Sequence, residues 1–223
     1  MKEFIEVPAT IRSLAFRRLV CGVGTNDAKY MVRQKLDGKI LICHFYQTWQ
    51  NMIKRCYCEK IQGKRPTYIG CSVSNNWLTF SNFRLWMEGQ DWKGKQIDKD
   101  ILVVGNKIYS EETCIFVSGA INCLLTGNKN KGCEDPQGVS WHSASGKYIS
   151  QCRVNGNNKY LGIFSTSQEA ELAYLLFKSI TIKKVAFDVE ASSNKKLQLG
   201  LRRHAEIFSI KAESIKLQLS EIK

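Results

Sequence analysis

Two aromatic stripes at helical spacing stand out from a chain whose other apolar positions mostly alternate. Tyr46, Trp49, Met52, Ile53 and Cys56 recur three or four residues apart, with Gln50, Lys54 and Arg55 between them. Trp77, Phe80, Phe83, Trp86 and Met87 repeat the pattern. A period near 3.6 predicts two helices whose aromatic faces share a core. Before them, residues 30–34 and 39–43 read as strands around Asp37-Gly38, a pair suited to tight hairpins because it tolerates positive φ. Residues 11–20 mix apolar and basic positions. Arg12, Arg17 and Arg18 read there as solvated surface, with phosphate contact as the alternative. Residues 59–67 read as a polar loop carrying Lys60, Lys64 and Arg65.

After the second stripe the pattern becomes extended. Residues 97–102 read as a strand, Gly105-Asn106 as a turn, and Lys107-Ile108-Tyr109 as a renewed extension. Cys114-Ile115-Phe116-Val117 then leads into a short helix carrying Asn122. An Asp98 on the first strand and Asn122 on the helix could supply two oxygen ligands to a hard cation such as Mg²⁺. Beside a basic surface, such a cation suggests phosphodiester chemistry. A hairpin with solvated acids at its mouth satisfies the same spacing.

The last third is patterned more plainly. Residues 138–142, 147–154 and 159–164 read as three strands, with 155–158 as a hairpin loop. Thr166-x-x-Glu169 is a capping-box signature ahead of Ala170, Leu172, Ala173, Leu176 and Phe177, an amphipathic helix. Alternation places Lys147, Ile149, Gln151 and Arg153 on one face of the middle strand. Residues 126–137 are polar and basic and read as a linker. The tail, 188–223, is helix-prone, with a loose stripe of Ile207, Ile210, Ile215, Leu217 and Leu219 interrupted at Gly200, and is expected to pack back on the body.

Charge narrows the partners. Lys and Arg number 33 against 20 Asp and Glu, a net +13 over 223 residues. That excess favours a polyanion, most commonly nucleic acid. No apolar run is long enough for a bilayer span and the first residues carry no secretory signal, so no membrane partner is expected and the cytoplasm is the expected location. Nine cysteines are scattered without a repeated CxxC. Cys43-His44, Cys56-x-Cys58 and Cys71 have the wrong spacing for familiar zinc ribbons or fingers, so structural zinc is not expected.

Ordered motifs add a resemblance. Tyr46-x-x-Trp49-x-x-Met52-x-x-Arg55-Cys56-Tyr57, Cys71 through Trp77, Phe80 and Phe83, Asp98-Lys99-Asp100, and Tyr109-Ser110-x-Glu112-x-Cys114 together resemble phage-encoded HNH endonucleases of the His-Me finger group, over about residues 20–125. The resemblance implies a ββα metal core in 46–125, after a strand-rich extension in 1–45. It makes Asp98 and Asn122 the ligands of Mg²⁺ or Mn²⁺. The general-base histidine of that family is replaced here by Lys99, and the asparagine that orients it by Thr113. A lysine, with a usual pKa of about 10.4, is a weak base at neutral pH. Three readings stay open. Lys99 stabilises phosphorane charge while Tyr109 or His44 activates water, or Lys99 has a depressed pKa, or the site is inactive and keeps only a DNA-binding shape.

Within 138–187, Gly138-Val139, Lys147-Tyr148, Tyr160-Leu161-Gly162-x-Phe164 and Glu169-Ala170-x-x-Ala173-Tyr174 resemble the AP2 DNA-binding domain. That family docks its sheet in the major groove, which implies contacts from Ser140, His142, Lys147, Gln151, Arg153, Asn158 and Tyr160 to double-stranded DNA. The expected fold is therefore α+β: an HNH-like core, a three-stranded sheet with one helix, and a helical tail. The expected function is a DNA-binding phage protein acting as a metal-dependent homing-type endonuclease. The alternative is a decayed nuclease serving as a DNA-binding regulator or as an anti-defence inhibitor of a host protein. A homodimer stays open.

Overall fold

A computed structural model describes residues 4–126, 135–190 and 194–221. Their fold is α+β with small sheets. The chain divides into two compact units, Met1–Asp100 with Gly105–Phe116, and Ile101–Val104 with Val117–Lys223. The division after Phe116 falls inside the 46–125 segment of the sequence reading. Of the expected 126–137 linker, residues 127–134 lie outside the described residues.

The first unit opens with a short helix, α1 (Ile11–Ala15), whose Thr10 hydroxyl caps the Ser13 amide at 3.1 Å. None of the α1 residues is buried. Arg17 has a different task from its neighbours, since its guanidinium donates to the carbonyls of Asn26, Ala28 and Tyr30. It therefore holds the following loop together. Strands β1 (Arg33–Leu36) and β2 (Lys39–Ile42) form the expected antiparallel hairpin around Asp37-Gly38.

Both aromatic stripes are helical. They lie on α2 (His44–Tyr57) and α4 (Phe80–Glu88), the second preceded by a 3₁₀ turn at Asn75–Leu78. Trp49, Met52, Ile53, Trp77, Phe80, Phe83 and Met87 are essentially solvent-free. Each fully buried side chain of this size contributes about 1.5–3 kcal/mol. The indole of Trp49 also donates to the Trp77 carbonyl at 2.7 Å, tying α2 to the entry of α4. The region expected as a polar loop is instead α3 (Glu59–Lys64) followed by a 3₁₀ turn, Pro66–Tyr68. Local polarity hid a helix that has no buried residue of its own.

Strand β3 (Ser72–Val73) pairs in parallel with β5 (Ile108–Tyr109), and β4 (Gln96–Asp98) pairs with β6 (Ile115–Val117). The expected hairpin across 97–109 is thus replaced by two separate pairings. The cause is local. Asp98 Oδ1 accepts the Asp100 amide at 2.9 Å, and this side-chain turn ends β4 three residues after it starts.

The second unit contains α5 (Gly119–Leu125), capped by Ser118, and a three-stranded antiparallel sheet. Its strands are β7 (Val139–His142), β8 (Lys147–Val154) and β9 (Asn157–Phe164), in the order β7-β8-β9. Helix α6 (Ser167–Glu190) crosses one face of that sheet. The capping box is present as expected: Thr166 N donates to Glu169 Oε2 and Glu169 N to Thr166 Oγ1, each at 3.2 Å. Helix α7 (Lys195–Glu221) packs along α6, as expected of the tail. Its buried face is Leu197, Leu201, Ala205 and Ala212, however, while Ile210 and Leu217 of the expected stripe are exposed. Gly200 does not interrupt α7. It lets the helix approach the 101–104 segment, where an added Cβ would sit 2.6 Å from the Ile101 carbonyl oxygen. Among the described residues, no helix is long and apolar enough to cross a membrane.

Candidate nucleic-acid interface

The β8–β9 turn fixes the geometry of the sheet. Asn155 and Gly156 both have positive φ and form a two-residue connection, so Val154 already faces Asn157. The expected four-residue loop is shorter by two, and Asn158 is drawn into the ladder opposite Arg153. A bulge between Ser150 and Gln151 then shifts the register so that Gln151 faces Tyr160 and Ile149 faces Ile163. Across the other edge, Ser140 pairs with Ile149 and His142 with Lys147.

Directly paired residues share a face of a sheet. Ser140, His142, Lys147, Gln151, Arg153, Asn158 and Tyr160 therefore all lie on one face, and all are exposed. The opposite face buries Val139, Ser150 and Cys152, the last packed with Tyr174 and Leu175 of α6. Gly138, at φ +80°, closes this arrangement, because an added Cβ would fall 2.2 Å from the Tyr174 ring. Leu176, expected on the packed face of α6, is about half exposed, and Tyr174 takes the buried position.

The outer face has no negative charge. No Asp or Glu occurs between Asp135 and Glu169, whereas Lys147 and Arg153 stand on this face. Arg153 Nε donates to the Gly156 carbonyl at 3.2 Å, which aligns the side chain and leaves Nη1 and Nη2 without a partner among the described residues. His142 Nδ1 lies 2.8 Å from Ser145 Oγ, so the β7–β8 turn holds its ring. Ile149 and Ile163 sit among these polar groups, and Ile163 is 39% exposed. Neither is among the expected contact residues, although the alternation that places Gln151 and Arg153 on this face also places Ile149 there. Apolar side chains at such positions suit the thymine methyl group, while Gln and Arg suit the two-point edges of adenine and guanine.

The residues expected to perform chemistry are placed differently. Asp98 and Lys99 belong to the first unit and Asn122, on α5, to the second. Lys99 is 7% exposed, with Nζ 3.1 Å from Asp100 Oδ2 and donating to the Asn106 carbonyl at 3.0 Å. It also lies over the Tyr109 ring at 5.9 Å. Asn106 Nδ2 in turn donates to the Lys99 carbonyl, so lysine and loop brace each other. Thr113 Oγ1 donates to the Ile108 carbonyl at 2.8 Å and contacts Ser110 Oγ at 3.0 Å. It closes a turn.

The two groups expected as alternative bases fare unequally. Burial pushes the Tyr109 phenol well above the ordinary tyrosine range, outweighing the hydrogen bond from Arg55, so the group stays protonated at neutral pH. His44 stacks on Trp92, with ring centroids 4.7 Å apart, and this cover lowers its pKa from the ordinary histidine value. It can therefore be neutral at pH 7, but it stands at the start of α2.

Among the described residues, no three His, Cys, Asp or Glu side chains gather as a metal site, and Cys133 lies outside them. Asp100, the carboxylate next to Asp98, is already paired with an ammonium that a metal ion would oppose. Cys43, Cys56 and Cys71 are buried, and Cys43 Sγ is 3.4 Å from the Tyr30 hydroxyl.

No protein-family model, curated protein or solved structure matches this chain. Fold and face together define an α+β protein whose second unit presents an acid-free, polar sheet surface backed by a helix.

Proposed function

We propose that this chain binds double-stranded DNA by laying the outer face of β7-β8-β9 in the major groove. One observation carries the reading: seven polar or basic side chains, chosen in advance by alternation and motif, stand exposed on a single sheet face without a carboxylate among them. A two-stranded or three-stranded β surface fits the major groove, and the amides, hydroxyls and guanidinium there match base edges and phosphates. Lys147 and Arg153 supply charge for phosphates, and Gln151, Arg153 and Tyr160 stand at the centre for readout.

The test is selection of bound duplexes from a random library by the full chain, followed by affinity measurement on the winners. A shared sequence in the bound pool supports the proposal. A bound pool no different from the input, with no duplex affinity at low salt, rejects it.

Metal-dependent cleavage is the second reading, favoured by the order β4, β6, α5 with Asp98 ending the first strand. Against it, Lys99 and Thr113 are spent on bracing their own loops. Incubation of bound DNA with Mg²⁺ or Mn²⁺ separates the readings. Cutting that Asp98→Ala abolishes supports an endonuclease, and binding without new ends supports a DNA-binding regulator.

A further inference from the structure

Helices α2 and α3 enclose a cleft of about 350 Å³ lined by Asn51, Lys54, Arg55, Ile61, Lys64 and Arg65. Four of these six groups are cations, and no carboxylate lines the cleft. Their partners are neutral. Lys54 Nζ donates to Gln50 Oε1 at 3.2 Å, and Arg55 bonds the Tyr109 phenol and lies 5.5 Å over the Tyr68 ring. None of the four is paired with a carboxylate among the described residues.

Basic residues in the last turns of α2 and α3 complement the negative ends of those helices. That accounts for Lys54, Arg55 and Lys64 singly. It does not account for their convergence, with Arg65, on one concave surface, where four like charges repel. An anion in the cleft would relieve that repulsion. Arg55, held by two aromatic side chains, offers a pre-aligned planar fork; the lysines offer mobile point charges, and Asn51 an amide donor.

We infer that the α2–α3 cleft is a phosphate-binding site. If the proposed function holds, on which this source rests, the occupant is a backbone phosphate of the bound DNA, and the first unit adds its own sequence-independent grip.

The experiment compares the full wild-type chain with Lys64→Gln/Arg65→Gln, two exposed positions whose exchange leaves the core intact, after matching thermal melts. Duplex affinity is measured across salt concentrations, and pyrophosphate is titrated while the Asn51 and Ile61 NMR signals are followed. The expected result is weaker duplex binding on every sequence, a salt slope smaller by about 1–2, and loss of the pyrophosphate response. A variant with wild-type slope and affinity, even if pyrophosphate binds, overturns the DNA-backbone source. Pyrophosphate shifts that vanish in the variant, in a chain that binds no duplex, uphold the phosphate site while the DNA reading fails. Unmoved Asn51 and Ile61 signals in the wild type, with an unchanged salt slope in the variant, overturn the inference entirely.

Discussion

Lys99 and Lys178 are both lysines withdrawn from water, and they differ in what surrounds the ammonium. Lys99 has a carboxylate and a carbonyl at its ammonium. Lys178, 3% exposed on α6, has the Tyr174 ring at 5.7 Å and Cys152 nearby, and desolvation lowers its pKa from the ordinary lysine value. The folded chain therefore holds that proton less tightly than the unfolded chain, and stability rises with pH between the lowered value and the ordinary one. Below that window the buried charge is a net cost. Lys178→Met is expected to raise the unfolding free energy at pH 7, measured by urea titration, by on the order of 1 kcal/mol, an advantage that shrinks at high pH. A variant less stable than wild type at pH 7 would contradict this account. On the sheet face, Gln151→Ala is expected to relax base preference at one position by about 1–3 kcal/mol without altering the salt slope. Lys147→Ala should instead lower the slope by about one and spare sequence preference. Binding isotherms on the selected site and its single-base variants distinguish the two.

At the scale of elements, α6 and α7 set local preference against close packing. The reciprocal bonds of Thr166 and Glu169 cap α6, the helix that covers the sheet. Thr166→Ala is expected to cost about 0.5–2 kcal/mol in equilibrium unfolding, and more than Thr126→Ala, whose hydroxyl only bonds back to Asn122 within its own turn. Gly200 is the sharper case. Helix propensity alone predicts that Gly200→Ala stabilises α7 by about 1 kcal/mol. The Ile101 carbonyl, 2.6 Å from where the new Cβ would lie and part of rigid backbone, predicts the reverse. Steric overlap should win, so Gly200→Ala lowers the melting temperature. A rise would mean that the 101–104 segment yields readily.

For the molecule as a whole, a net charge of +13 makes association with a polyanion sensitive to salt. If about six phosphates are contacted, raising salt from about 50 to 200 mM should weaken duplex binding by about 10³-fold. Partner capture that survives both nuclease and high salt would instead point to a protein partner. The distribution of charge matters more than its total. The sheet face and the α2–α3 cleft both lack carboxylates, and they belong to different units.

Features that depend on near neighbours were legible along the chain. Apolar period fixed the two aromatic helices, Asp37-Gly38 the first hairpin, the Thr166/Glu169 pair the start of α6, and alternation the set of side chains sharing one sheet face. Tertiary structure decided what depends on distant partners. The pairing of β5 with β3 rather than β4 is a long-range choice, invisible to local extension. The burial of Ala205 and Ala212 in place of Ile210 and Leu217 reflects how closely α6 approaches α7. The fate of Lys99 turned on the Asn106 carbonyl seven residues away, and the basic cleft on the unexpected helix α3. Local patterns encode an element and its faces, whereas only the folded chain selects which face meets which neighbour.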